Sequence, residues 1–289
     1  MLLILTFNPK QACMRKNLLY LLAALLVLSS CDASKDQPEP EQVLFRAYYL
    51  QKQVANYVWP NGSTGTIEQL YSYNDQNQLI GISATTYSKT EPLHQTLSYN
   101  DNNQVVHIQS TPLQSWSNTY NENHQLIKQV RTTIQDDETT DVHYYQNTFN
   151  DAGELTEAQI RNIKDNVDEP GPVFKYAYTD GQVTSILSEY PAGGRYVDHF
   201  YTYDDKLAPL PSYLPQVIGI KYSSYFLPGK FPSQHNIASY IALDENGERK
   251  KIYCYTATYT YNEAGYPVTC TKNFEDGTVE KTTYTYVLI

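Results

Sequence analysis

Along most of its length the chain alternates an apolar or aromatic residue with a small or polar one. Tyr71/Tyr73, Tyr176/Tyr178, Tyr201/Tyr203, Tyr259/Tyr261 and Tyr284/Tyr286 stand two residues apart, with Ser72, Ala177, Thr202, Thr260 or Thr285 between them. A period of two places each tyrosine pair on one face of a β-strand and the small residues on the other. The alternating runs end in short polar stretches and resume with an aliphatic. One phrase recurs: small residue, aromatic, Asn, Asp or Thr, polar turn, aliphatic. Its copies are Ser72-Tyr73-Asn74-Asp75 to Leu79, Ser98-Tyr99-Asn100-Asp101 to Val105, Thr119-Tyr120-Asn121-Glu122 to Leu126 and Thr148-Phe149-Asn150-Asp151 to Leu155. Ala177-Tyr178-Thr179-Asp180 to Val183, Thr202-Tyr203-Asp204-Asp205 to Leu207 and Thr260-Tyr261-Asn262-Glu263 to Pro267 complete the set.

The phrase has the chemistry of a β-hairpin. In Phe149 to Leu155, Asn150 suits the first position of a type I turn, Asp151 and Ala152 its centre, and Gly153 the left-handed residue of a G1 bulge. Asn77, Asn103, Gly265 and, in a further hairpin, Gly247 occupy the same offset, and His124 fills it less suitably. The fifth and sixth copies have shorter turns. If Asn150 faces Glu154, then Phe149 faces Leu155, Tyr73 faces Leu79, Tyr99 faces Val105 and Tyr120 faces Leu126. Such cross-strand pairs contribute roughly 0.2–1 kcal/mol each and fix the register.

Two strands per repeat predict an all-β, antiparallel meander of about 14–16 strands from about Val43 to the end, which must curl or close to hide its edges. The anchors at 73, 99, 120, 149, 178, 203 and 261 are separated by 26, 21, 29, 29, 25 and 58 residues. The last gap is twice 29, which predicts a degenerate copy between 204 and 260. Residues 204–240 break the rhythm with Pro209, Pro211, Pro215, Pro228 and Pro232, and proline is excluded from central strands. We expect this non-repeat insert to cap or plug the sheet rather than link two hairpins, because Ile218, Ile220, Tyr222, Tyr225 and Phe226 require burial.

The N-terminal segment sets the compartment. Met14-Arg15-Lys16-Asn17 is a basic n-region, and Leu18 to Leu28 is an apolar h-region too short to span a bilayer. Leu28-Ser29-Ser30-Cys31 fits a lipobox, so residues 1–30 are expected to be a signal peptide, with Met14 as an alternative start, and Cys31 the lipidation site. Residues 31–43 form a charged, Pro-bearing tether, and 44–289 a single β-repeat domain. Charges directly after Cys31 either form a surface-export signal or are a plain spacer. Removing residues 1–30 removes Lys10, Arg15 and Lys16 and no acid, so the net charge becomes 18 − 31 = −13. Such a chain lacks the basic face that nucleic acid requires. The expected partner is the membrane, through the lipid on Cys31; the oligomeric state is left open.

The repeated phrase loosely resembles the YD repeats of the RHS family. That family's Gly-Arg-Leu ending stands here as Gly153-Glu154-Leu155. The mature region as a whole resembles a Bacteroidota lipoprotein family of unknown function with a porin-like fold, through the lipobox, the Tyr-x-Tyr-Asn/Asp hairpins, and the break from Tyr203-Asp204-Asp205-Lys206 to Ser233-Gln234-His235-Asn236. The resemblance implies a barrel-like sheet and supplies no activity. A membrane barrel needs an apolar stripe on its lipid face. Here Thr132-Thr133-Ile134-Gln135-Asp136-Asp137-Glu138 and Arg249-Lys250-Lys251 put polar residues on both faces, and the mean hydropathy is −0.52. A soluble barrel on a lipid tether is therefore expected.

No HExxH, GxSxG, P-loop or GxGxxG occurs, so no catalytic residue, cofactor or metal site is assigned. His94, His107, His124, His143, His199 and His235 are scattered. Asp141 and His143 share a face, and adjacent Asp198 and His199 do not. The acidic tips Asp136-Asp137-Glu138 and Asp244-Glu245-Asn246-Gly247-Glu248 lack EF-hand spacing and are expected to be solvated turns. Cys254 and Cys270 invite a disulfide. However, a register of Tyr261 opposite Pro267 puts Cys270 opposite Thr258, about 13 Å from Cys254 at the strand rise. Two separate buried thiols are expected. Trp59 and Trp116, and in the insert Tyr213 and Tyr222, are candidate stacking residues for a glycan or lipid ligand; their alternative role is packing. The expected role is non-catalytic, binding or structural, in the outer-membrane envelope. Its alternatives are a glycan- or lipid-binding lipoprotein, or a hydrolase whose site the sequence does not display.

Overall fold

The computed structural model describes residues 48–85, 92–135, 140–164, 167–190, 193–194, 197–209 and 235–288. The strands are β1 (Tyr48–Val58), β2 (Thr64–Tyr73), β3 (Leu79–Thr85), β4 (Leu93–Tyr99), β5 (Val105–Thr111), β6 (Gln114–Tyr120), β7 (Leu126–Ile134) and β8 (Thr140–Phe149). They continue as β9 (Leu155–Lys164), β10 (Val167–Thr179), β11 (Gln182–Glu189), β12 (Asp198–Leu207), β13 (His235–Leu243), β14 (Tyr255–Tyr261), β15 (Pro267–Phe274) and β16 (Val279–Leu288). Each pairs antiparallel with its sequence neighbours, and β1 pairs with β16, so the meander closes into a barrel without an open edge.

The phrase forms the expected turns. Asn74, Asn100, Asn121, Asn150 and Asn262 each donate their N–H to the carbonyl four residues on, and their side-chain oxygens accept from the backbone N–H four residues on and, in all but Asn150, also from the one two residues on. Asn77, Asn103, His124, Gly153 and Gly265 hold positive φ. Tyr73 faces Leu79, Tyr99 faces Val105, Tyr120 faces Leu126 and Phe149 faces Leu155, as the turn chemistry requires. The fifth copy turns on Asp180-Gly181 alone, both with positive φ.

Each of these hairpins carries a bulge just inside the turn, where the aliphatic and the residue after it share one aromatic partner. The ladder to the next strand begins two residues further in, at Gly81/Thr96, His107/Ser117, Lys128/Gln146, Glu157/Lys175 and Thr269/Thr283. The bulged aliphatic thus lies beyond that ladder, and the next tyrosine hydroxyl reaches its carbonyl. Tyr73 donates to Leu50, Tyr99 to Leu79, Tyr120 to Val105, Tyr178 to Leu155, Tyr203 to Val183, Tyr259 to Ile237 and Tyr286 to Pro267, all at 2.7–3.0 Å. On β8 the anchor is Phe149, which has no hydroxyl, and Asn147 Nδ2 alone donates to Leu126 at 2.7 Å, the bond that Asn118 makes to Val105 alongside Tyr120. The phrase therefore encodes a hydroxyl that closes the next ladder as well as a ring that packs.

Alternate residues along the strands are buried and exposed. In a closed single-layer wall the buried set faces inward. Leu50, Tyr71, Leu79, Ile82, Leu97, Val105, Ile108, Trp116 and Tyr145 form one inner cluster. Ala158, Phe174, Ile186, Val197, Tyr201, Tyr240 and Ala242 form a second, and Ile160 packs against both. The outer wall carries Lys52, Glu68, Thr96, Ser117, Gln146, Lys175, Thr258, Thr271, Lys281 and Thr283.

The sequence-based expectations need correcting in three places. Among the described residues the 58-residue gap shows no additional copy: β12 pairs directly with β13 and β13 with β14. The sixth phrase is not a short turn. β12 runs on to Leu207, and Tyr203 faces Ile237 rather than Leu207. A turn is where a long insertion is tolerated, because closure entropy grows only slowly with length. Asp204 Oδ1 accepts from the Lys206 and Asn236 backbone N–H groups, Asp204 Oδ2 accepts from Tyr261, and Asn236 Nδ2 donates to Leu207, which draws the base of the insertion together. Finally, Cys270 lies opposite Tyr259, not Thr258, because the bulge between Thr260 and Tyr261 shifts the register by one. That shift puts Cys270 on the tyrosine face. Cys254 and Cys270 are both buried free thiols, and burial pushes each above its ordinary pKa.

Candidate functional site

The two mouths of the barrel differ. Connections β2–β3, β4–β5, β6–β7, β8–β9, β10–β11, β12–β13 and β14–β15 lie at one end, where β1 also begins. Each phrase places an exposed acid there: Asp75, Asp101, Glu122, Asp151, Asp180, Asp205 and Glu263. Turns of the same hydrogen-bond pattern recur at the opposite mouth, after β1, β11, β13 and β15, with Trp59, Tyr190, Asp244 and Phe274 in the first position. One mouth thus carries amides and carboxylates in its turns, and three of these four turns at the other open on an aromatic.

At the aromatic mouth, Tyr57 and Trp59 lie two residues apart, with rings nearly parallel at 13° and centroids 6.0 Å apart. Tyr57 is directly opposite Glu280 on β16. Glu280 Oε1 accepts from Lys272 Nζ on β15 at 2.8 Å and from Thr282 Oγ1 at 2.9 Å. The ammonium also lies 5.3 Å from the centroid of Tyr255, which packs against Phe274. Burial is the largest single influence and works against the Lys272 charge, but Glu280, with Tyr255, Tyr284 and Cys270, together outweigh it and hold the ammonium protonated well above the usual lysine range. This is a desolvated ion pair inside an aromatic wall, a group that an apolar pair would replace at little cost to folding.

Deeper in the wall, Trp116 is 4% exposed, packed on Tyr145 at 6.2 Å with the Arg131 guanidinium 5.7 Å from its ring. Beside it, Gln129 Nε2 donates to Asn118 Oδ1, and Asn118 Nδ2 donates to the Val105 carbonyl. The Gln129 Oε1 and Asn147 Oδ1 atoms are enclosed, with no hydrogen-bond partner among the described residues. Burial pushes the phenols of Tyr120, Tyr178 and Tyr255 up to about 12.

The sequence-selected residues therefore separate. Trp59 is half-buried at the aromatic mouth and Trp116 is enclosed in the first inner cluster. Cys31, Tyr213, Tyr222, the remaining residues of the insert over 210–234 and the acidic tip Asp136-Asp137-Glu138 lie outside the described residues. The histidines are dispersed: His107 meets Gln109, His235 meets the Lys206 carbonyl, and buried His199 Nδ1 lies 2.6 Å from the Tyr240 hydroxyl. Asp198 and His199 point to opposite faces, and Asp198 accepts from the Ser188 N–H. Among the described residues, no group of three or more His, Cys, Asp or Glu could hold a metal ion. Sequence reasoning missed Tyr57, Lys272 and Glu280. The i, i+2 spacing of Tyr57 and Trp59 was a usable signal. The ion pair joins two strands across a turn and had none.

No protein-family model matches the chain, and no curated protein matches it. Among solved structures, a porin-like protein from Bacteroides uniformis matches at a TM-score of 0.55 and 15% identity, covering 82% of this chain and 98% of that one. A porin-like protein from Bacteroides vulgatus matches at 0.49 and 11%, covering 83% and 99%. A chain of the Photorhabdus luminescens Tc holotoxin pore matches at 0.25 and 12%, covering 79% of this chain and 15% of that one, a similarity too weak to bear on the YD-repeat resemblance. The chain therefore shares its closed antiparallel barrel fold with the porin-like protein of Bacteroides uniformis.

Proposed function

We propose that the chain is a lipid-tethered outer-membrane protein whose barrel stands in water, on the periplasmic or outer surface, and serves a non-catalytic binding or structural role. The observation that carries this is the polarity of the wall. A barrel that spans a bilayer turns its apolar side chains outward and its polar ones inward. Here tyrosines and aliphatics predominate on the inside, beside buried Asn118, Gln129, Asn147 and the Lys272–Glu280 pair, and the outside carries Lys52–Glu68, Lys175–Glu189 and Arg161–Asp168 ion pairs on the faces of the strands. One lysine at a bilayer midplane costs roughly 2–4 kcal/mol on a barrel's outer face, and these charged pairs interrupt the exposed aliphatics of the outer wall, such as Leu70, Ile163 and Leu187. The tether is supported by the h-region and by Leu28-Ser29-Ser30-Cys31. Multiple acyl chains on Cys31 supply stable anchoring.

The test is fractionation of the full chain and its Cys31→Ala variant. The wild type should sediment with membranes and incorporate labelled palmitate. The variant should be released in soluble, folded form. A Cys31→Ala protein that stays in the membrane through an alkaline carbonate wash is a spanning barrel, and the proposal fails.

A further inference from the structure

We propose that the aromatic mouth holds a binding site for a neutral saccharide chain, formed by Trp59, Tyr57, Lys272 and Glu280. This rests on the reading of the barrel as a water-standing binding protein and names its ligand class. Tyr57 and Trp59 share the inner face at the end of β1, and Trp59 is half-buried where the turn begins. The turn needs no tryptophan: the same hydrogen-bond pattern is built on Asn at Asn74, Asn100, Asn121, Asn150 and Asn262. Gly277 packs toward Pro60, so the turn that follows Phe274 stands beside the one that carries Trp59. Below them lies the Lys272–Glu280 pair, with 19% and 7% of the side chains exposed. The residues directly across the ladders are small, with Gly65 opposite Tyr57 and Ala257 opposite Lys272.

The chemistry selects the ligand. An indole face packs against the C–H face of a pyranose ring, while a paired ammonium and carboxylate offer a donor and an acceptor to vicinal hydroxyls. The pair has no net charge, so an ionic ligand gains little from it. A hydrocarbon chain would desolvate the pair further and add no hydrogen bond to those Lys272 and Thr282 already make to Glu280. Trp116 is excluded as the platform because Tyr145 and Arg131 enclose it.

The test uses the full chain carrying Cys31→Ala, titrated by calorimetry with cellohexaose, maltohexaose and laminarihexaose as probes. At least one should bind saturably. Trp59→Ala should weaken that probe by about tenfold or more, and the paired change Lys272→Met with Glu280→Gln, which keeps the wall neutral, should do the same. Tyr190→Ala, in an equivalent turn away from the ion pair, should leave affinity unchanged. Circular dichroism confirms that each variant is folded, and a paired variant that fails to fold is replaced by Thr282→Val, which removes one hydrogen bond from Glu280. Absence of saturable binding to all three probes up to about 5 mM, or equal binding by Trp59→Ala, overturns the proposal. Membrane fractionation is unaffected by either result, so the two readings fail separately.

Discussion

Replacing Tyr99 by Phe removes one oxygen and leaves the ring in place. That oxygen is 2.8 Å from the carbonyl of Leu79, a residue with no solvent exposure that lies two residues beyond the β3–β4 ladder. An ordinary hydrogen bond contributes a net 0.5–1.5 kcal/mol or so, but a carbonyl left buried and unpaired costs about 1–3 kcal/mol. The larger range applies, and for a domain of this size each kcal/mol lowers Tm by roughly 2–4 °C. Urea denaturation followed by far-UV circular dichroism gives the free energy. The chain contains its own control. At Phe149 the hydroxyl is absent and the Leu126 carbonyl takes its side-chain hydrogen bond from Asn147 Nδ2, whereas the equivalent Val105 carbonyl has both Asn118 and Tyr120. Asn147→Ala should therefore cost as much as Tyr99→Phe, and adding Phe149→Tyr to Asn147→Ala should recover most of the loss. Tyr99→Phe and Tyr203→Phe, on distant arcs of the wall, should add within about 0.5 kcal/mol. A Tyr99→Phe protein as stable as wild type, together with no rescue by Phe149→Tyr, refutes the role given to these hydroxyls.

Further outcomes follow from other features. His124 holds a φ of 62° where other copies use Asn or Gly; His124→Gly should stabilise by about 0.5–1 kcal/mol, and His124→Val should destabilise, in the same urea assay. Lys272→Met alone strands a buried Glu280 and should cost about 3–5 kcal/mol, whereas Lys272→Met with Glu280→Leu should be near neutral, read by thermal melts. The phenols of Tyr120, Tyr178 and Tyr255 titrate in the folded protein near 12 rather than at the ordinary tyrosine value. Because the folded pKa values are raised, this stabilisation is complete below the unfolded value of about 10 and is lost as pH rises toward the folded one. Stability should fall steeply from about pH 10 upward, and a flat profile to pH 12 by alkaline titration contradicts the burial assigned to these rings.

The hairpins were legible because turn chemistry is local. Asn150 to Leu155 fixes its own φ angles and its own cross-strand pair. Strand number and closure followed from counting such units. Two features were hidden for the same reason: a bulge sits one step beyond the turn and shifts what lies opposite, as at Cys270, and an insertion inside a phrase imitates a missing copy, as after Tyr203. The hydroxyl-to-carbonyl closure links consecutive hairpins, so no single phrase displays it. Which face is buried depends on closure of the whole ring. Lys272 and Glu280 read as two unrelated charges until β15 and β16 bring them together. Trp59 and Trp116 were indistinguishable by type, and only the strand ends separate a residue at a mouth from one inside the wall.

The most direct test of a water-standing barrel is the accessibility of a fluorophore on its outer wall. Cys254 and Cys270 are buried, so a single cysteine introduced as Thr258→Cys at an exposed outer position of β14 can be labelled selectively in the folded protein. With the lipid-anchored protein on vesicles, the account predicts full quenching by an aqueous quencher and none by a quencher carried on the acyl chains. Quenching from the acyl chains, with protection from the aqueous quencher, would place β14 against lipid and contradict the account.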